Sequence, residues 1–206
     1  MLPRRAGALV LLLGCLTAVA ALAAGPQCDQ KMGASDTVFC NGTYALCIKA
    51  PCKAVAGDAS KVSCSCVIEQ GWSMGPGACT DPGRSRPYPP PSGTEVMSTY
   101  SNYFNTTEQT LTCKSSDTKW AWCFGAPCKV DAKDPKRATC LCPVCTGAAS
   151  TLGGSCHQEA CKEIYSAATP INDAFANKIY YDYLTHQGIS VPPAATACPS
   201  GQPSPH

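Results

Sequence analysis

The sequence predicts a small disulfide-rich fold, mainly β hairpins with a C-terminal α-helical segment, arranged as two tandem homologous cystine-rich modules. Three observations carry that expectation. The stretch from Cys47 to Cys66 (CIKAPCKAVAGDASKVSCSC) returns 76 residues later as Cys123 to Cys142 (CFGAPCKVDAKDPKRATCLC), with nine identities in twenty positions and no gap. The chain opens like an export leader, with Arg4 and Arg5 ahead of an apolar run from Ala6 to Ala24 that meets Gly25-Pro26 and then polar sequence. Of the 17 cysteines only Cys15 lies in that leader. The remaining sixteen are an even number at a density typical of oxidised, secreted scaffolds.

These features divide the chain into a signal peptide (1–24), module one (25–79), a Pro-rich connection (80–112), module two (113–161), a helical segment (162–188) and a Pro/Ser-rich tail (189–206). The apolar run stops at small residues without a charged stop-transfer flank, which argues against a membrane span. An alternative reading makes Leu12-Leu13-Gly14-Cys15 a lipid-attachment site. The apolar run continues past Cys15, where an acylated protein would turn polar. Losing Arg4 and Arg5 leaves fourteen basic and fourteen acidic residues. A neutral chain of this kind is a poor partner for nucleic acid, and it carries no polybasic patch for an anionic membrane. The localisation that follows is secreted or periplasmic.

Within module one, Tyr44 to Ala50 reads as a strand ended by Pro51, which has no amide hydrogen to give a ladder. Ala56-Gly57-Asp58 is a turn signal. Lys61 to Glu69 returns with Val62, Cys64, Cys66 and Ile68 on one face by the two-residue period. Cysteines two apart on a strand point the same way and cannot bond each other, so each looks across to another segment. The economical partners are Cys47 and Cys52 in module one and Cys123 and Cys128 in module two, with the pairing order left open.

The connection begins with Asp81-Pro82-Gly83 and Pro89-Pro90-Pro91, which favour an extended, semi-rigid spacer. Its second half, Met97 to Leu111, instead carries Tyr100, Tyr103 and Phe104, apolar bulk that reads as a patch anchored on a module or, alternatively, as a ligand-contacting loop. Module two repeats the hairpin with Trp120 to Ala126 outgoing, Asp134-Pro135 in the turn and Arg137 to Cys142 returning. Next comes His157 to Ala168, free of Gly and Pro, with Cys161, Ile164, Tyr165 and Ala168 at helical spacing. A second helix is better signalled. Thr169 caps it, Pro170 occupies the first turn, Ile171, Phe175, Ile179 and Tyr183 form a stripe, and Gly188 lies beyond the last turn.

The candidate disulfide residues are Cys28, Cys40, Cys47, Cys52, Cys64, Cys66, Cys79, Cys113, Cys123, Cys128, Cys140, Cys142, Cys145, Cys156, Cys161 and Cys198. Parity lets Cys40 to Cys79 and Cys113 to Cys161 each close on themselves, which leaves Cys28 to pair with Cys198. Candidate binding residues are the aromatics by which the modules differ or that stand in the connection: Tyr100, Tyr103, Phe104, Trp120 and Trp122. For Trp120 and Trp122 the competing reading is cover for a cystine core too small to bury itself.

The leading function is an exported, non-enzymatic, disulfide-stabilised binding or structural protein acting on a protein or cell-surface ligand, with no cofactor. The alternative is metal binding (copper or zinc) or thiol-redox chemistry centred on Cys140 to His157, where Cys140-x-Cys142-x-x-Cys145 and Cys156-His157 gather soft ligands and include a C-x-x-C. His186 and His206 are too far along the chain to suggest an imidazole pair. No G-x-S-x-G, H-E-x-x-H or phosphate-cradling glycine loop occurs. Asn41-Gly42-Thr43 and Asn105-Thr106-Thr107 match the glycosylation acceptor pattern.

Overall fold

The computed structural model describes residues 28, 32–33, 37–102, 109–152, 156, 161–191 and 196–198. The signal peptide, Cys15, Tyr103, Phe104, Asn105, His157, His206 and most of the tail lie outside the described residues. The architecture is mainly antiparallel β with one C-terminal helix. The strands are β1 (Val38–Leu46), β2 (Cys52–Val55), β3 (Asp58–Gly75), β4 (Glu95–Met97), β5 (Thr110–Cys113), β6 (Lys119–Ala121), β7 (Pro127–Val130), β8 (Arg137–Thr146) and β9 (Ala149–Leu152), followed by α1 (Pro170–His186).

Seven strands form one sheet, with β1-β3-β8-β7-β4 as its path, β2 beside β3 and β6 beside β8; β5 and β9 form a separate pair. The two repeat segments therefore share a single sheet. Their return strands, β3 and β8, run antiparallel with Cys64 opposite Cys140. Because Cys64 and Cys140 are the same position of the repeat, the junction is a pseudo-twofold about that pair. The registers agree across it: Cys52 faces Cys64 as Cys128 faces Cys140, and Tyr44 faces Glu69 as Trp120 faces Cys145.

The two-residue period explains the core. Val62, Cys64, Cys66 and Ile68 of β3 are buried on the face that also buries Ala138, Cys140 and Cys142 of β8. Four disulfides span this layer in matched order: Cys47–Cys66 and Cys123–Cys142, Cys52–Cys64 and Cys128–Cys140. The Sγ of Cys140 lies 3.2 Å from that of Cys66 and 3.3 Å from that of Cys47, so neighbouring disulfides touch across the axis. Cystine sulfur takes the place that aliphatic side chains hold in larger cores.

Several expectations are corrected. The outgoing strand expected over Tyr44 to Ala50 stops at Leu46, because the chain turns at Ile48-Lys49. The one expected over Trp120 to Ala126 likewise divides into β6, ending at Ala121, and β7, starting at Pro127. Pro51 is not the stop, since β2 begins at Cys52 and the Pro51 carbonyl accepts from Ser65 N–H at 3.1 Å. The first half of the connection is no simple spacer, because β4 pairs with β7 and Val96 is fully buried ahead of the stretch expected to anchor. The buried Arg84 guanidinium donates to the carbonyls of Val38, Ser73, Gly75, Pro76 and Gly77, which ties the connection to the ends of β1 and β3.

Cys28 bonds Cys145 and Cys198 bonds Cys156, so the expected Cys28–Cys198 link is overturned. Parity counted cysteines but not neighbours. The ends of the chain dock separately, Cys28 beside Trp120 and Cys198 beside β5 through the Cys198 N–H to Thr110 carbonyl bond of 2.8 Å. The remaining disulfides are Cys40–Cys79 and Cys113–Cys161.

The helix expected over 157–168 is replaced, at residues 164–168, by extended backbone that bridges to Pro51, Ala121 and Ser150. The second helix forms as its signals require: Thr169 Oγ1 accepts from Asn172 N–H at 3.2 Å, Pro170 is in the first turn and Gly188 has φ +69°. Its buried face is displaced by one residue from the expected stripe. Asn172, Ala176, Tyr180 and Leu184 are buried, whereas Ile171 is 65% exposed. Polar anchoring turns the helix: the Tyr180 hydroxyl donates to the Trp72 carbonyl at 2.9 Å, and Asn172 Oδ1 accepts from Met32 N–H at 3.0 Å. Among the described residues no helix is long and apolar enough to cross a membrane.

Candidate functional site

A second element of the pseudo-twofold builds the site. Residues 95–100 (EVMSTY) follow repeat one, and residues 163–168 (EIYSAA) follow repeat two. Ala45 bridges to Ser98 as Ala121 bridges to Ser166, and Met74 bridges to Tyr100 as Ser150 bridges to Ala168. Each segment then crosses to the opposite repeat. Gly125 N–H donates to the Ser98 carbonyl at 2.9 Å and Ser98 N–H to the Ala126 carbonyl at 2.8 Å; Lys49 N–H donates to the Ser166 carbonyl at 3.2 Å and Ser166 N–H to the Ala50 carbonyl at 3.0 Å. Two reciprocal clamps thus close over the turns at Lys49 and Gly125.

Between the clamps lies a partly open cavity of about 60 Å³. Three symmetry-related pairs line it: Cys47 with Cys123, Ile48 with Phe124, and Ser98 with Ser166. The cavity therefore sits on the pseudo-twofold, with two disulfides in its wall. Its remaining character is asymmetric. Trp122 and Tyr100 contribute aromatic faces, Ala167 and Ala168 leave room opposite, and Asp173 reaches in from the first turn of α1. Trp122 and Phe124 stand side by side, their centroids 5.7 Å apart.

Asp173 is the carboxylate of this lining, and its surroundings perturb it. Desolvation by the apolar surroundings raises its pKa to about 6. Its carboxylate receives a long 3.4 Å bond from Asn177 Nδ2, and among the described residues no cation pairs with it. Tyr100 shares that partner, its hydroxyl donating to Asn177 Oδ1 at 2.7 Å. Burial and the nearby Asp173 charge raise the Tyr100 pKa, so that phenol stays protonated.

The five aromatic candidates separate on inspection. Tyr100 and Trp122 both reach the cavity. Tyr100 is not a free linker residue, since it exchanges two backbone bonds with Met74 and stacks edge-on with Tyr180. Trp120 is only 3% exposed and packs beneath Trp122 beside the Cys28–Cys145 disulfide, with its Nε1 buried and unpartnered. Tyr103 and Phe104 lie outside the described residues. Comparison with known proteins found no matching family model, curated protein or solved structure. The site must therefore be read from its own chemistry.

The metal or thiol alternative meets an obstacle. Cys140, Cys142, Cys145 and Cys156 are each held in a disulfide, to Cys128, Cys123, Cys28 and Cys198 respectively. The C-x-x-C pair are not bonded to each other. The two sulfur trios close enough to share an ion, Cys47-Cys66-Cys140 and Cys64-Cys123-Cys142, are built from these same cystines. The ligand and the nucleophile in such chemistry is the thiolate, which a disulfide does not offer.

Sequence reasoning passed over Ile48, Ser98, Ser166 and Asp173. A signal for the serines existed in the shared pattern Glu-(Val/Ile)-x-Ser at Glu95–Ser98 and Glu163–Ser166. Asp173 carried none, because an acidic residue in the first turn of a helix is ordinary.

Proposed function

We propose that this chain is an exported binding protein, two homologous cystine-rich modules fused through one sheet, that holds a protein or cell-surface ligand at the cavity between its two clamps. The compact disulfide-rich fold, with eight disulfides, fits an oxidising compartment outside the cytosol. The observation that carries the binding reading is the convergence of Tyr100, Trp122 and Phe124, from two distant stretches, on one partly open cavity whose walls are disulfide-stapled. Rigid aromatics on a pre-organised wall lose little entropy when they engage a partner.

Isotope-labelled protein titrated with a small apolar probe such as indole tests this reading. Resonance shifts should cluster at Ile48, Trp122, Phe124 and Ala168, and Phe124→Ala should weaken them. Shifts scattered over the surface, or absent at the cavity, would refute it.

A further inference from the structure

We infer that the cavity receives a lysine side chain of a protein ligand. This assignment rests on the cavity being the binding site and adds the chemistry of what enters it. The lining has apolar and aromatic walls in Ile48, Tyr100, Trp122 and Phe124, and one charged group, Asp173. A carboxylate taken out of water in a cavity lined by three aromatic residues, with no cation paired to it among the described residues, is complementary to an organic cation.

The acceptor set selects which cation. A primary ammonium has three N–H donors, whereas a quaternary ammonium has none. Ser98 and Ser166 line the same cavity as the Asp173 carboxylate, and a serine hydroxyl can accept from an ammonium. They stand as a symmetric pair on the clamps. The four-carbon stem of lysine suits the apolar walls, while its head needs the acceptors. About 60 Å³ suits the end of one side chain.

The desolvated state of Asp173 agrees with this use. Pairing with an ammonium favours the ionised carboxylate, so cation affinity should increase as pH rises through the region of the Asp173 pKa. Among the described residues the ionisable group that interacts with Asp173 is the Tyr100 phenol, which does not titrate in that range.

The test uses the intact oxidised protein and n-butylammonium as the lysine side-chain probe, with 1-pentanol as its neutral counterpart and tetramethylammonium as the quaternary one. Binding is read from the Trp122 indole resonance. Butylammonium should bind about ten-fold tighter than pentanol at pH 7.5, and the margin should vanish at pH 5 and in Asp173→Asn. That variant removes a buried charge, so it should fold. Equal binding of pentanol and butylammonium would overturn the cation while leaving the cavity reading intact. Tighter binding of tetramethylammonium would overturn lysine in favour of a quaternary head group. If none of the three moved the Trp122 resonance, the cavity reading would fall with it.

Discussion

The two halves of the sheet are built to one plan and finished differently. Their strand registers, nested disulfides and clamp bonds match position for position. At matched positions, however, repeat one has Tyr44, Leu46, Ile48 and Met74 where repeat two has Trp120, Trp122, Phe124 and Ser150. The clamp after repeat one ends in Thr99-Tyr100; the one after repeat two ends in Ala167-Ala168 and runs straight into α1 through the Thr169 cap. Large Met74 packs fully buried beneath the helix with Tyr180 and Leu184, while small Ser150 and Ala168 leave the space that becomes the cavity. What the halves share is scaffold. What they do not share decides where a ligand can sit.

The largest effect expected tests the shared part. Replacing Cys47 and Cys66 together by alanine should cost about 3 kcal/mol, and so should replacing Cys123 and Cys142, because both disulfides close the same span of chain at the same register. Guanidinium unfolding of the two double variants measures the pair. A difference above about 1 kcal/mol would break the equivalence of the halves.

A smaller effect tests the unshared part. Asp173 has its folded pKa raised to about 6, above the 3.8 of an ordinary aspartate. Its protonated form is the one the fold prefers, so its contribution is fully present below pH 3.8 and is lost as pH rises through 6. Asp173→Asn keeps the side chain neutral and should match the parent in stability near pH 3.5. At pH 8 it should exceed the parent by about 2 to 3 kcal/mol. Urea melts of both proteins at the two pH values check this, and a variant no more stable at pH 8 would show that the carboxylate is not desolvated.

The smallest effect lies at the turn between the strands of each half. Gly125 has φ +76°, and a Cβ there would meet Pro76 Cγ at 2.9 Å. At the matching position Lys49 adopts φ +55°. A lysine in the left-handed region is strained, so Lys49→Gly should stabilise by roughly 0.5 kcal/mol after the added chain entropy is counted. Thermal melting resolves such a change. A destabilised variant would mean that the lysine side chain contributes more than its backbone costs.

Much of the architecture was legible in the residues because it depends on short-range geometry. The alternation that buries Cys64 and Cys66 follows from the two-residue period of a strand. The same period forbids a bond between them, and so sends both to Cys47 and Cys52. The start of α1 was legible because Thr169 and Pro170 act on their immediate neighbours. Its buried face was read one residue off, because Ile171 is apolar yet exposed whereas Asn172 is polar yet held by Met32.

By itself, then, the sequence determined the cystine-framed hairpins, their repetition and the C-terminal helix, since each rests on interactions between residues close along the chain. Tertiary structure alone decided that Cys28 reaches Cys145, that Cys156 reaches Cys198, and that the two hairpins join at Cys64 and Cys140 into one sheet. It also decided that residues 95–100 and 163–168 cross over to clamp the opposite repeat and frame a cavity facing Asp173. Those contacts join residues far apart along the chain and arise from the packing of finished elements, for which no local pattern of side chains supplies a signal.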